Sequence, residues 1–287
     1  VSSHVKEFLL ARKRDLEEHR RVNRVCHREA LDVLQTLADA SIDLIYTDPP
    51  FGTQTYQKLD RQRGGQLVSS VGYLDRFDDY MGFMRPHLVE MRRVLKPSGT
   101  LYLHLDFRWS HYVKVALDEV FGRDCFLNEV VWAYDFGGRG RCSWPRKHDN
   151  ILVYVREPGQ HVFNWDDIDR LPYAAPEMQR VGRNVDEVER RIATGKVPTD
   201  VWLMSIVGTN SRERTGYPNQ KPQKLVERIV LASSPPGGLV LDVFAGSGTT
   251  GAAAYKHGRQ FVLADISPWA LETMRKRFER IDVEWIL

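Results

Sequence analysis

An apolar run at residues 238–244 empties into Ala245-Gly246-Ser247-Gly248-Thr249-Thr250, and no other stretch limits the fold so strongly. Gly246 to Gly251 spells G-x-G-x-x-G between a strand pattern and a helix pattern. Glycines allow a tight turn and close backbone approach. The free N–H groups of the following helix suit an anionic group. Asp265 ends the next apolar run, 260–264, at the spacing where a carboxylate grips ribose hydroxyls. This unit predicts a nucleotide-like cofactor. After Asp265 the sequence has only a helix pattern at 268–281 and a short tail at 282–287. The rest of the sheet must therefore come from upstream. A nicotinamide dehydrogenase ordinarily places the glycine unit first, so the permuted order points away from a dinucleotide.

Upstream, strand and helix patterns alternate. A strand is expected at 22–26, a helix at 30–38 and a nearly all-apolar buried strand at 42–47. That strand runs into Asp48-Pro49-Pro50-Phe51-Gly52, where two prolines stop it and stiffen the loop. In an open α/β sheet such a loop, at the carboxyl end of a strand, is where ligands bind. Residues 53–72 are polar and contain glycine, which predicts a mobile loop. Helices are expected at 80–95, 109–121, 224–232 and 251–257. Strands are expected at 100–105, 129–134 and 151–155. From 156 to 216 the rhythm fails around a charged helix at 186–193, which predicts an insertion or a small second domain. The expected organisation is a basic helix at 1–23, one half of the main domain at 24–155, the insertion at 156–216 and the half with the glycine loop at 217–287.

Charge narrows the partners less than position does. In 287 residues, 41 Lys and Arg face 38 Asp and Glu, a net +3 that does not by itself mark a polyanion binder. Arg139, Arg141, Arg146 and Lys147 lie in a glycine-rich loop with Phe136 and Trp144, a mixture that can reach phosphates and stack on bases. An exposed, merely solubilising hairpin would look similar. Lys58, Arg61 and Arg63, just beyond Phe51, form a second candidate that could close over a target. Three scattered cysteines, Cys26, Cys125 and Cys142, argue for a reducing compartment. No apolar run is long enough to span a membrane, and residues 1–28 lack the apolar centre of a signal peptide, so a cytoplasmic protein is expected. The nine histidines show no metal-ligand spacing, so no metal is expected, and His104 and His111 read as structural.

Three segments together carry a resemblance: Thr47-Asp48-Pro49-Pro50-Phe51, Gly216-Tyr217-Pro218-Asn219-Gln220-Lys221-Pro222, and Asp242-Val243-Phe244 through Thr250. In this order the chain resembles the permuted β group of DNA N4/N6 amino-methyltransferases. The resemblance implies a Rossmann-like α/β methyltransferase fold with circularly permuted motif order and a small recognition insertion, with a catalytic half at 24–155, target recognition at 156–216, a cofactor-binding half at 217–287, and S-adenosylmethionine as cofactor. It implies that Asp242, Phe244, Gly246, Ser247 and Gly248 line the cofactor loop, with Thr249 and Thr250 near the methionyl carboxylate and Lys221 at the same end. Asp265 would hold the ribose. Glu29 falls where the family contacts the adenine, although His27-Arg28-Glu29 departs from the usual Gly-Asp. Double-stranded DNA is the implied substrate, and a homodimer and a cognate restriction endonuclease are partners consistent with the family. The implied location is the cytoplasm, at the nucleoid.

The chemistry follows from the catalytic loop. An exocyclic amine is a weak nucleophile because its lone pair is delocalised into the ring. The Asp48 carboxylate and the Pro49 carbonyl can each accept an amine hydrogen, which aims the lone pair at the donor, and the carboxylate stabilises the developing positive charge. Pro50 stiffens the loop and Phe51 offers a face to a base taken out of the stack. Cytosine C5 methylation would need a nucleophilic cysteine after proline, which is missing. Three alternatives stay open. Cytosine N4 is one, although the family resemblance ties Asp before Pro-Pro to adenine and Ser to cytosine. RNA or protein glutamine is another, with Asn more common there. A silent subunit that binds DNA and cofactor without turnover is the third.

Overall fold

The computed structural model describes residues 23–53, 55–63, 66–135, 140–173, 177–178 and 185–287. The expected basic helix at 1–23 lies outside the described residues but for Asn23, as do Arg139 and the side chains of Lys58, Arg61 and Arg63. The elements in chain order are β1 (Asn23–Cys26), α1 (Ala30–Thr36), β2 (Ile42–Thr47), β3 (Thr55–Arg63), β4 (Gln66–Asp75), α2 (Tyr80–Val94), β5 (Leu95–Leu105) and α3 (Ser110–Phe121). They continue with β6 (Phe126–Ala133), β7 (His148–Val155), α4 (Val185–Thr194), β8 (Val201–Leu203), α5 (Gln223–Ser233), β9 (Leu239–Asp242), α6 (Thr249–Lys256), β10 (Gln260–Ala264), α7 (Pro268–Arg277) and β11 (Val283–Ile286).

Nine strands form one sheet in the order β11-β1-β10-β9-β2-β5-β7-β6-β8. From β11 to β5 all neighbours are parallel. β7 then runs antiparallel to both β5 and β6. All six residues of β2 are buried, as a strand covered on both faces requires. Its side chains split between two layers. Ile45 packs with Leu34, Met84, Leu88 and Leu117 under α1, α2 and α3. Leu44 and Tyr46 pack with Ile229, Ala253, Met274 and Phe278 under α5, α6 and α7. Asp79 caps α2 by accepting from Gly82 N at 2.7 Å, and Ser267 caps α7 ahead of Pro268.

Three expectations change. Residues 53–72 were expected as a loop, but β3 and β4 form an antiparallel hairpin running back to Asp75. Gly64-Gly65 lies between the two strands in sequence, the two-residue signal that favours a hairpin over an unstructured loop. The tail at 282–287 is a strand, β11, pairing with β1 from Asn23↔Val283 to Cys26↔Ile286. The last helix is correspondingly shorter than 268–281. Within 156–216, the rhythm is not wholly lost: β8 joins the main sheet beside β6, and Asn164 donates to the carbonyls of Leu231 and Ser234 at 2.9 Å each.

Candidate active site

The strand order makes the site. From β9 the chain proceeds outward to β10 on one side, while β2 leads to β5 on the other. The carboxyl ends of β9 and β2 therefore diverge at a topological switch point. One strand ends at Asp242 and the glycine loop, the other at Thr47 and the Asp48-Pro49-Pro50-Phe51 loop. Asp242 ties the two together. Its carboxylate accepts from Thr47 Oγ1 at 2.9 Å, Thr250 Oγ1 at 2.6 Å and Phe244 N at 3.1 Å. Burial pushes this carboxyl up to about 7 even though all three hydrogen bonds favour its charged form.

Between the loops lies a cavity of about 490 Å³. Asp48, Pro49, Pro50 and Phe51 line it, together with Glu29, Lys221, Asp242, Phe244, Gly246, Ser247, Thr249, Thr250 and Asp265. Residues some two hundred positions apart thus share one wall. Gly248 alone among the expected cofactor residues is not in the lining. At φ +74° it starts α6, and an added Cβ would meet Met274 Cγ at 2.8 Å, so it serves helix packing. Gly246, at φ +50°, brings the backbone against the Tyr217 ring. The two oxygens of Asp265 accept from Gly246 N and Ser267 N at 2.8 Å each, which holds the glycine turn to β10. Each oxygen keeps a lone pair for a hydroxyl.

At the catalytic loop, the Lys221 ammonium pairs with Oδ2 of Asp48. Oδ1 of Asp48 is buried and has no hydrogen-bond partner among the described residues. Lys221 also sits 5.4 Å from the centre of the Phe51 ring. The resemblance implies Lys221 beside the cofactor; the structure sets its charge on the Asp48 carboxylate, within the same cavity. Loop shape comes from Asp75, a residue the sequence gives no motif to find. Its carboxylate accepts from Gly52 N at 2.7 Å, Thr53 N at 3.0 Å and Thr53 Oγ1 at 2.7 Å. Gly52, at φ +58°, passes so close to Trp109 that a Cβ would lie 2.9 Å from Nε1.

The basic loop is only partly described. Arg141 and Arg146 are exposed, and Trp144 is 93% exposed. Arg146 stacks on Phe107 at 4.0 Å from the ring centre, with Arg108 at 4.7 Å. Phe107 follows β5, which neighbours β2, so this cation–aromatic cluster is on the same sheet edge as Asp48. Lys147 is ion-paired to Asp135 at 2.6 Å.

A nucleoside-bearing cofactor fits these residues. The glycine turn, the half-engaged Asp265, the half-exposed apolar Ile266 and Asp48, one oxygen of which has no partner among the described residues, all line the same cavity. Comparison with known proteins agrees. The chain is 34% identical over 254 residues to the type II methyltransferase M.HpaI of Haemophilus parainfluenzae, covering 87% of this chain and 72% of the relative. It is 30% identical over 264 residues to the DNA adenine methyltransferase YhdJ of Escherichia coli (strain K12), covering 90% and 82%. In fold it resembles the cytosine-N4-specific PvuII DNA methyltransferase, with TM-score 0.62, 16% identity and 88% and 85% coverage. It also resembles the M1.HpyAVI–SAM complex, with TM-score 0.57, 19% identity and 88% and 98% coverage. The DNA methylase family model matches residues 42–276, from the first residue of β2 into α7, and on that span and these relatives the chain belongs to the DNA methylase family.

Proposed function

We propose that this protein transfers a methyl group from S-adenosylmethionine to the N6 amino group of an adenine extruded from double-stranded DNA, at a specific site. The observation that carries this reading is the Asp48 carboxylate, in a residue that lines the cavity: one oxygen is fixed by Lys221, and the other is buried with no partner among the described residues. A buried acceptor without a donor is costly, and an amine N–H satisfies it. The bound cofactor supplies an electrophilic methyl on a sulfonium. Everything else falls to the chain. Asp48 Oδ1 accepts one amine hydrogen and the Pro49 carbonyl takes the second, which turns the nitrogen lone pair toward the methyl. The carboxylate opposes the positive charge that develops on nitrogen. That charge is discharged when the nitrogen releases one of its two hydrogens as a proton to solvent, while the donor leaves as a neutral thioether. Phe51 gives the extruded base a stacking surface. Asp75 keeps the loop in place, so the geometry exists before the base arrives.

Cofactor residues divide by chemistry. The Gly246–Ser247 backbone and the start of α6 at Thr249 suit the methionyl end, and Asp265 suits the ribose. Glu29, at the head of α1 with no side-chain capping bond, is free to meet the adenine amine. Arg141 and Arg146 face DNA phosphates, with Lys58, Arg61, Arg63 and Arg139 added from the sequence. Adenine is favoured by the relative YhdJ, named a DNA adenine methyltransferase, and by Asp rather than Ser before Pro-Pro. Nucleoside mass spectrometry of unmethylated DNA incubated with protein and cofactor tests the reading. N6-methyladenine is expected. N4-methylcytosine would overturn the base assignment alone, and no methylated nucleoside would overturn the activity.

A further inference from the structure

Next to the catalytic loop lies a buried polar cluster that the proposed chemistry does not use. His104, on β5, is fully buried. Its Nδ1 shares a hydrogen bond with the Tyr46 hydroxyl at 3.1 Å, and its Nε2 meets Asp149 Oδ2, on β7, at 3.3 Å. Tyr134 donates to the other Asp149 oxygen, also at 3.3 Å. Burial works to raise the Asp149 carboxyl, but His104, Lys221 and Tyr134 outweigh it and hold it below the usual range. Burial, with Asp48, Asp242 and Asp149 nearby, pushes the Tyr46 phenol well up, so it keeps its proton. The imidazole is thus gripped at both nitrogens, and Trp132 meets its ring edge-on at 5.5 Å.

Such a cluster is a poor source of stability. A buried ionic network is commonly matched or bettered by apolar side chains of similar volume. What it does provide is a single ring orientation. The ring so fixed stacks on Phe51, with centroids 6.3 Å apart and planes 28° from parallel. Tyr46, two residues before Asp48 on the same strand, also lines the cavity.

We propose that His104 is a positioning residue for methyl transfer: clamped between Tyr46 and Asp149, it sets the ring plane of Phe51 against which the extruded base is held. The inference rests on the methyl-transfer reading above. It follows that His104 acts only through Phe51. Small misplacements of a reacting group cost on the order of tenfold to a hundredfold in rate, so His104→Leu should lower kcat by about that factor. Its KM for DNA and its affinity for S-adenosylmethionine should hold.

The test is a double-mutant cycle on unmethylated phage DNA, comparing His104→Leu, Phe51→Ala and the double variant, with thermal midpoints measured for each. Once Phe51 is alanine, replacing His104 should change kcat by less than about twofold, because coupled residues are not additive. His104→Asn keeps one donor and one acceptor and serves as the replacement if the leucine variant does not fold. Independent, multiplying losses would overturn the inference, as would an unchanged kcat in either single His104 variant. A wild-type protein with no turnover would instead overturn the methyl-transfer reading, and this inference with it.

Discussion

Removing the Asp48 carboxylate should damage stability and chemistry by separable amounts. The Lys221 and Asp48 side chains are 9% and 20% exposed. In Asp48→Ala the Lys221 ammonium stays buried with its partner gone. Stranding one member of a buried pair costs about 3–5 kcal/mol, and the partial exposure of Asp48 points to the lower end, about 3 kcal/mol. At roughly 2–4 °C per kcal/mol for a large domain, the thermal midpoint should fall by about 6–12 °C. Turnover should fall by at least about two decades, the usual loss for an oriented electrostatic partner. Lys221→Met added to Asp48→Ala removes the stranded charge, so the double variant should regain most of the midpoint and none of the rate. Circular dichroism melts and a methyl-transfer assay on the same samples read both quantities. If Asp48→Ala turns over near the wild-type rate, Asp48 does not hold the amine. If its midpoint is unchanged, the ion pair does not carry the load assigned to it.

Other outcomes follow from single contacts. Asp242 keeps its proton more tightly in the folded state, so between the usual carboxylate range and about pH 7 the native protein binds more protons than the unfolded chain. Its contribution to stability therefore declines as pH rises through that window and levels off above it. Asp242→Asn should flatten that slope in urea melts taken from pH 5 to pH 8, and an unchanged slope would mean that another group is responsible. Gly248→Ala forces a Cβ against Met274 and Phe278 at a left-handed φ, which should cost about 1–3 kcal/mol and lower the urea midpoint. Calorimetry should show S-adenosylmethionine binding and no NAD binding, and tight NAD binding would reverse the cofactor assignment. Charge reversal at Arg141 and Arg146 should weaken DNA binding broadly and flatten its salt dependence. Binding that is indifferent to both changes would leave the loop a solubilising hairpin.

What could be read beforehand depended on how local the signal was. Asp48-Pro49-Pro50-Phe51 and Gly246 to Thr250 carry their chemistry in consecutive residues, and all of them but Gly248 line the cavity. The permuted order is legible because the Asp48 loop precedes the glycine loop in sequence. Asp75 could not be found the same way. It is a single carboxylate more than twenty residues from the loop it holds, and only the β3–β4 hairpin brings it back. His104 and Asp149 belong to strands that are neighbours in space and 45 residues apart in sequence. His104 was read as structural because nothing adjacent to it suggested a partner. The tail strand β11 was missed because four residues carry too little periodicity, and its pairing with β1 comes from the far end of the described chain.

The position of β1 between β10 and β11 has a consequence for synthesis. A strand near residue 25 finds both of its neighbours only when residues 260–286 have been made. Until then β2 also lacks β9 on one side, Thr47 has no Asp242, and Asp48 has no Lys221. The nascent chain thus carries its catalytic loop long before the cofactor cradle exists. Pairings this distant in sequence form slowly. Until those pairings form, a ribosome-bound intermediate would lack the cavity in which the two loops meet.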